Sequence, residues 1–224
     1  MKKITPTVFI VDDSPRIRAA LSRVLGAMDY EVRTFESAEE FLAQRTGDEA
    51  GCLILDVCMP GLSGPELQRA LVDSGCELPI IFLSGRGDVQ TSVHAMKVGA
   101  QDFLTKPIDS DRLFAAVDQA FRRDAEKRRE RIIGDLIKQR SERLTPREHQ
   151  VMGYVICGRL NKQIALSIGT GEKTVKVHRA RMMAKMDARS VAELVQLAAR
   201  VGVAMEPAIS GSDKDLDWKR AGGA

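Results

Sequence analysis

Short apolar runs alternate with amphipathic segments along the first 123 residues. The apolar runs are predicted strands, and the segments with a 3.6-residue period are predicted helices. The predicted strands are Val8–Val11, Glu31–Phe35, Leu53–Asp56, Pro79–Ser84 and Asp102–Thr105. The predicted helices are Pro15–Met28, Ala38–Arg45, Pro65–Asp73, Val89–Val98 and Asp111–Arg123. Strand followed by helix, repeated five times, predicts an α/β fold with a parallel sheet covered by helices on both faces.

The alternation stops in a charged segment, residues 124–141, where only a few positions are apolar. Two interpretations stay open here: a solvated linker, which is typical of charge runs, or a continuation of the preceding helix. A continuous helix would carry an intermittent apolar seam for a second copy of the chain. That predicted seam consists of Phe121, Ile132, Leu136 and Ile137, and it lacks sustained heptads.

Helix signals return after the charged segment. Two predicted capping boxes, each with a hydroxyl three residues before a Glu, mark helix starts at Thr145–Glu148 and Ser190–Glu193. Between them lie a short helix that Asn161 is predicted to cap, a turn at Gly169 and a basic helix over residues 172–186. A helix, a short helix, a tight turn and a basic helix predict a small all-α helix-turn-helix domain.

The charges divide the chain into two halves. Residues 1–121 carry 12 Lys and Arg against 18 Asp and Glu, whereas residues 122–224 carry 22 against 13. An acidic half joined to a basic half predicts two domains, the second with a polyanion as partner. The predicted organisation is a first domain over 1–123, a charged linker over 124–141, a helix-turn-helix domain over 142–205 and a disordered tail over 206–224.

Composition also indicates the compartment. The chain contains no run of about 18 apolar residues, and Asp12 and Asp13 interrupt the apolar N-terminal stretch, so neither a membrane span nor a signal peptide is predicted. The four cysteines form no CxxC pair and no zinc-binding spacing. We therefore expect a cytoplasmic protein with reduced thiols and no membrane partner.

Polar side chains gather at one edge of the predicted sheet. Asp12 and Asp13 end the first strand, and Asp56 ends the third. Ser84 ends the fourth strand, and Lys106 follows the fifth. Three neighbouring carboxylates repel one another unless a cation joins them, and oxygen ligands of this kind suit Mg²⁺. A carboxylate beside Mg²⁺ can attack a phosphoryl donor, and an ammonium group neutralises charge on the transferred oxygens. Asp56 is therefore the predicted nucleophile of an aspartyl-phosphate.

Four motifs in order, VDDS, LDVCMPG, LSGRGD and DFLTKP, resemble the receiver domain of two-component response regulators over residues 5–123. The resemblance implies a flavodoxin-like sheet of order 2-1-3-4-5 with Asp56 as phosphoacceptor. It implies a Mg²⁺ site made of Asp12, Asp13, Asp56 and the backbone carbonyl of Cys58. It also implies Lys106 as a phosphate contact, Ser84 as the switching hydroxyl, Phe103 as the rotating aromatic and a cis Lys106–Pro107 bond.

The second domain carries LTPREHQV, NKQIAL and EKTVKVHRARMMAKM, which resemble the LuxR-type helix-turn-helix, and the two domains together resemble the NarL/FixJ regulators. On the basic helix, Val175, His178, Met182 and Met186 share the predicted core face. On the opposite face, Lys176 can reach guanine acceptors and Val177 a thymine methyl group. The predicted DNA contacts are Lys173, Thr174, Lys176, Val177, Arg179, Ala180 and Arg181.

These features predict a transcription factor controlled by phosphorylation. The expected partners are a sensor histidine kinase, double-stranded promoter DNA, a second copy of the chain after phosphorylation, and RNA polymerase. An enzyme that hydrolyses or transfers phosphoryl groups through an aspartyl-phosphate is a competing hypothesis. The haloacid-dehalogenase group needs a second Asp two residues after the nucleophile, and this chain has Cys58 there. A DNA-binding protein with a degenerate receiver is a third hypothesis, against which the full acidic and Lys106 set argues.

Overall fold

The computed structural model describes residues 5–47, 49–85, 96–200 and 202. The chain divides into two compact units, Met1–Glu130 and Arg131–Ala224. The predicted tail over 206–224 and most of the predicted helix Val89–Val98 lie outside the described residues, although Met96 and Lys97 are helical. Within the described ranges, no helix is long and apolar enough to cross a membrane.

The first unit is built on five parallel strands in the order 2-1-3-4-5, which confirms the predicted fold class. The strands are β1 (Thr7–Val11), β2 (Glu31–Phe35), β3 (Gly51–Asp56), β4 (Ile80–Ser84) and β5 (Asp102–Thr105). In the described part of this unit, four helices have both bounds assigned: α1 (Pro15–Gly26), α2 (Ala38–Gln44), α3 (Gly64–Asp73) and α4 (Ser110–Glu142), which continues beyond the unit. Each predicted strand lies within three residues of its observed bounds.

Both faces of the sheet are covered, as the unbroken apolar strands require. Side chains alternate between the two faces along β1: Phe9 and Val11 pack with Phe41 of α2 and Leu67 of α3. On the other face, α1 and α4 pack against the neighbouring strand positions. The buried residues of that second cluster include Val8, Ile10, Leu21, Leu25, Ile54, Leu113, Val117 and Ala120. The sheet is thereby fixed in the middle of three layers, with its carboxyl-end edge free to carry a site.

The charged segment is helical in the structure, since α4 continues from Ser110 to Glu142. Two side chains of this helix, Asp124 and Arg128, connect it to the start of β3. The Asp124 carboxylate is 5% exposed and accepts hydrogen bonds from the Gly51 amide (3.0 Å) and from Nε of Arg128 (2.8 Å). Arg128 also donates to the carbonyl of Glu49. The start of β3 is therefore held by α4.

Asp124→Ala should loosen β3, because it removes the carboxylate that accepts from the Gly51 amide and from Nε of Arg128. We expect a loss of about 2–3 kcal/mol in the opening free energy of the β3 amides. Hydrogen exchange of the full chain, followed on peptides that contain β3, measures this change. Glu126→Ala on the same helix is the control, because Glu126 is exposed. Equal β3 protection in Asp124→Ala and the parent chain would rule out a structural role for this pair.

The second unit contains α5 (Pro146–Ile156), α6 (Asn161–Ser167), α7 (Glu172–Met186) and α8 (Val191–Arg200). The capping box at Thr145 is present: the Glu148 amide donates to Thr145 Oγ1 (3.3 Å), and Glu148 accepts from the Thr145 amide (2.9 Å). Glu148 also receives Lys185 Nζ at 2.6 Å. That ammonium holds the pKa of the buried Glu148 below its usual value. The Glu148 carboxylate contacts both Thr145 and Lys185, and it therefore links the start of α5 to the last turn of α7.

Two local predictions for this half of the chain are wrong. Leu160, not Asn161, precedes α6, and the Leu160 amide donates to Oε1 of Gln163 (2.9 Å). The Asn161 side chain accepts from Arg179 instead (3.0 Å).

The predicted apolar seam of four residues on α4 is also wrong. Ile137 is buried in the second unit's core, and Phe121 packs against the first unit's core. Only Ile132 and Leu136 of the seam are exposed, at 56% and 48%.

Candidate functional site

The parallel strands bring the predicted acidic residues to one edge of the sheet. Asp12 follows β1, and its amide donates to the carbonyl of Phe35 at the end of β2 (3.3 Å). Asp56 is the last residue of β3, the neighbouring strand. Asp12, Asp13 and Asp56 each offer a carboxylate oxygen, and these three atoms lie within 4.8 Å of one another. Asp12 and Asp56 are buried, whereas Asp13 is exposed.

Lys106 joins two of these carboxylates. Its Nζ lies 2.9 Å from Oδ2 of Asp12 and 2.9 Å from Oδ1 of Asp56. The strand ends explain this reach, because the Lys106 amide donates to the carbonyl of Ser84 (2.7 Å) and so places its side chain at the same edge. The Lys106–Pro107 bond is cis, in agreement with what the family resemblance implies.

The electrostatics of the cluster leave room for another cation. Burial raises the pKa of Asp56, the Lys106 hydrogen bond and charge oppose that rise, and the charges of Asp12 and Asp13 add to it. Burial lowers the pKa of Lys106, but the hydrogen bonds and charges of Asp12 and Asp56 outweigh this effect, so that the pKa is raised overall. One ammonium among three carboxylates thus leaves excess negative charge. An all-oxygen set with excess negative charge fits a small divalent cation.

The loop after Asp56 passes close to the cluster. The Val57 amide donates to the carbonyl of Leu83 (3.0 Å), and the Gly64 amide donates to the carbonyl of Val57 (3.1 Å). A Cβ atom at Gly64 would lie 2.2 Å from the Asp56 carbonyl oxygen, so α3 can begin here only with glycine. The Cys58 side chain is an exposed free thiol.

Two further predicted residues lie on the neighbouring strands. Ser84 is buried at the end of β4, and its hydroxyl donates to the carbonyl of Gly85 (2.9 Å). Phe103 on β5 is half-buried, with its ring centroid 6.2 Å from that of Phe82. Sequence reasoning missed Arg18 on α1, whose Nη1 donates to the carbonyls of both Asp12 (2.7 Å) and Asp13 (3.0 Å). Its only sequence signal is a basic residue in the first turns of the helix that follows the acidic pair.

A second candidate site lies on α7. Val175, Met182 and Met186 are buried as predicted, while His178 is half-buried and its Nδ1 has no hydrogen-bond partner within the described ranges. The predicted DNA contacts face solvent except Arg179, which is half-buried and donates to Asn161. The exposed members are Lys173, Thr174, Lys176, Val177, Ala180 and Arg181. This face presents cations and an apolar side chain together, which suits a nucleic-acid groove.

Comparisons with known proteins match both units. Residues 8–118 match the response regulator receiver domain, and residues 142–198 match the bacterial regulatory proteins of the luxR family. The chain is 42% identical to Nodulation protein W of Bradyrhizobium diazoefficiens (88% of this chain, 86% of that protein). It is 40% identical to the response regulator protein TodT of Pseudomonas putida (89% and 88%). The solved structure of the response regulator StyR is 43% identical, with a TM-score of 0.79 over 88% of this chain and 99% of that one.

A receiver joined to a LuxR-type DNA-binding domain defines a transcriptional response regulator. The chain belongs to the NarL/FixJ family of two-component response regulators. This membership supports the hypothesis of a transcription factor and gives no support to that of a phosphatase.

Proposed function

We propose that Asp56 accepts a phosphoryl group from a sensor histidine kinase and that this event controls binding of promoter DNA by α7. The contact of Lys106 Nζ with both Asp12 and Asp56, at 2.9 Å each, carries the proposal. It places a fixed positive charge beside a buried carboxylate at a sheet edge that carries three acidic groups. Such an arrangement stabilises charge that moves onto the oxygens of a transferred phosphoryl group.

In the proposed transfer, an oxygen of the Asp56 carboxylate forms a bond to phosphorus, and the bond from phosphorus to the kinase imidazole breaks. The electron pair of that bond returns to the imidazole nitrogen. Asp12, Asp13, Asp56 and the Cys58 carbonyl would hold Mg²⁺, which supplies further charge neutralisation. Water can later hydrolyse the acyl phosphate, but Cys58 offers no carboxylate that could act as a general base toward that water. The chain therefore supports only slow autodephosphorylation.

An apolar groove beside the cluster offers a surface for the kinase. The groove has a volume of about 490 Å³ and lies between α1 and the segment after β5. Ile17, Ala20 and Val24 form one wall, and Pro107, Ile108 and Leu113 form the other. Lys106 also lines it, so that a partner seated there lies directly beside the phosphoacceptor.

Phosphorylation is proposed to act through Ser84 and Phe103. The Ser84 hydroxyl donates to a neighbouring carbonyl in this structure, and a phosphoryl group on Asp56 offers it a stronger, charged acceptor. Movement of Ser84 would free space near the half-buried Phe103 ring. If phosphorylation changes the free-energy difference between the two arrangements of Ser84 and Phe103 by a few kcal/mol, the more populated arrangement changes.

DNA recognition is proposed to rest on the exposed face of α7. Lys176 and Val177 would contact base edges, with Lys173 and Ala180 beside them. Thr174, Arg179 and Arg181 would contact phosphates. RNA polymerase is a further proposed partner, and the cytoplasm, which holds promoter DNA, is the proposed location. Footprinting on genomic DNA with the phosphorylated protein tests this function: protected promoter sites are expected, and uniform protection would contradict it.

Dimerisation is proposed to follow phosphorylation, because two recognition helices read paired half-sites about 34 Å apart. Ile132 and Leu136 lie four residues apart on α4 and expose apolar surface that a second copy could cover. Ile132→Asp combined with Leu136→Asp should weaken the dimer of the beryllofluoride-treated protein. Sedimentation measures the mass average over a range of concentrations. Asp135→Asn on the same helix is the control, and an unaltered dimer in the double variant would show that the receivers pair without the contacts of Ile132 and Leu136.

A further inference from the structure

Arg18 binds the backbone of the acidic turn from the side of α1. Its Nη1 lies 2.7 Å from the carbonyl oxygen of Asp12 and 3.0 Å from that of Asp13. A guanidinium Nη carries two hydrogens, so one nitrogen can donate to both oxygens. The side chain is half-buried, and its hydrogen bond to the Asp12 carbonyl is partly shielded from water, whereas the one to the Asp13 carbonyl is exposed.

The two acidic residues depend on this contact to different degrees. The Asp12 carboxylate has two donors of its own, the Ser14 amide at 2.9 Å and Lys106 Nζ at 2.9 Å. The exposed Asp13 carboxylate has no hydrogen bond within the part of the chain that the structure describes. The position of this carboxylate therefore depends on the backbone of Asp13, and Arg18 holds the carbonyl of that backbone. The guanidinium thus fixes the peptide planes from which both carboxylates project toward Asp56.

We infer that Arg18 is a positioning residue for the acidic pair, and that it sets the affinity of the cluster for Mg²⁺ by fixing the backbone of Asp12 and Asp13. The inference rests on the proposed function, in which these carboxylates hold the ion. Arg18 itself would not contact the metal. Residues that orient metal ligands in this way typically change metal affinity 10–100-fold when they are replaced.

The sign of the change separates positioning from simple charge. Asp12, Asp13 and Asp56 together with Lys106 carry a net charge of −2. The Arg18 cation reduces this local excess of negative charge. If Arg18 acted only through its charge, Arg18→Gln would strengthen Mg²⁺ binding, because a nearby like charge would be gone. If Arg18 acts by holding the turn, Arg18→Gln weakens Mg²⁺ binding in spite of that gain.

Calorimetric titration of the unphosphorylated full chain with MgCl₂ measures the affinity directly, without reference to phosphoryl transfer. Arg18→Gln is expected to bind Mg²⁺ about 10-fold more weakly than the parent chain. Arg18→Lys keeps the charge but is one atom shorter, and we expect it to lie between the two. Arg23→Gln removes the same charge from an exposed position in the last turn of α1, and its affinity should equal that of the parent.

Thermal unfolding with and without Mg²⁺ separates this role from general stability. A positioning role reduces the increase in Tm that Mg²⁺ produces in the parent, whereas a purely structural role lowers both Tm values equally. If the parent chain binds Mg²⁺ and Arg18→Gln binds it equally well or more tightly, the inference is overturned and the proposed function stands. A parent chain that binds no Mg²⁺ overturns both. Should Arg18→Gln fail to fold, parent-like affinity in Arg18→Lys overturns the inference.

Discussion

Asp56→Asn is expected to abolish phosphoryl uptake. Incubation of the parent chain with Mg²⁺ and a small acyl phosphate should add one phosphoryl group, seen by intact mass, and the variant should add none. The side chain keeps its size, and its amide oxygen can still accept from Lys106, so the sheet edge should remain folded. The amide oxygen is, however, a poor nucleophile compared with a carboxylate.

Asp29→Asn is the matched control for this experiment. Asp29 lies in the turn between α1 and β2 with a φ of 60°, a conformation that Asn also adopts readily. The same chemical change there should leave phosphoryl uptake equal to that of the parent. If Asp56→Asn gains the same mass as the parent, another residue is the phosphoacceptor and the assignment of Asp56 is wrong.

The second large effect is expected at the exposed face of α7. Lys176→Ala should weaken binding to the specific site by roughly 1–3 kcal/mol and relax the base preference at one position. The Lys176 side chain is 62% exposed and forms an ion pair with Glu172, four residues before it, at 3.3 Å. A surface pair of this kind is worth little, so Lys176 can leave Glu172 for a guanine edge at small cost.

Quantitative binding to specific and scrambled DNA over a range of salt concentrations measures both parts of this prediction. Because Lys and Arg displace counterions, parent affinity should fall steeply as salt rises. Lys138→Ala removes the same charge from an exposed position of α4 and should retain the parent's base preference. Loss of the same factor on specific and scrambled DNA would make Lys176 a phosphate contact instead of a base contact.

The sheet and its acidic edge could be predicted because their signals are local. Buried parallel strands are continuous apolar runs, and a carboxylate such as Asp56 at the end of one is conspicuous. The motifs then fix the order of the strands through family resemblance. Capping residues such as Thr145 and Glu148 mark a helix start in the same local way.

The contacts that were missed or mistaken depend on which partner a side chain meets in three dimensions. Ile137 matches a seam by spacing, but the core of the second unit buries it. Asn161 is a good helix cap by propensity, but Arg179, eighteen residues later, takes its oxygen. Arg18 resembles any helix-surface cation until the turn of Asp12 and Asp13 brings two carbonyls to it. The charged helix α4 is likewise stabilised by contacts of Asp124 and Arg128 with the backbone of Glu49 and Gly51, which lie more than 70 residues earlier in the sequence.

Phosphorylation at Asp56 is proposed to control DNA binding by α7. The most direct test is the affinity of the full chain for a promoter fragment found by footprinting, measured with and without beryllofluoride and Mg²⁺, in the parent and in Asp56→Asn. We expect the adduct to tighten DNA binding by the parent chain about 10-fold or more, within the usual range of coupling between two sites, and to leave DNA binding by Asp56→Asn unchanged. Equal parent affinity in both conditions, or an equal response in Asp56→Asn, would contradict it.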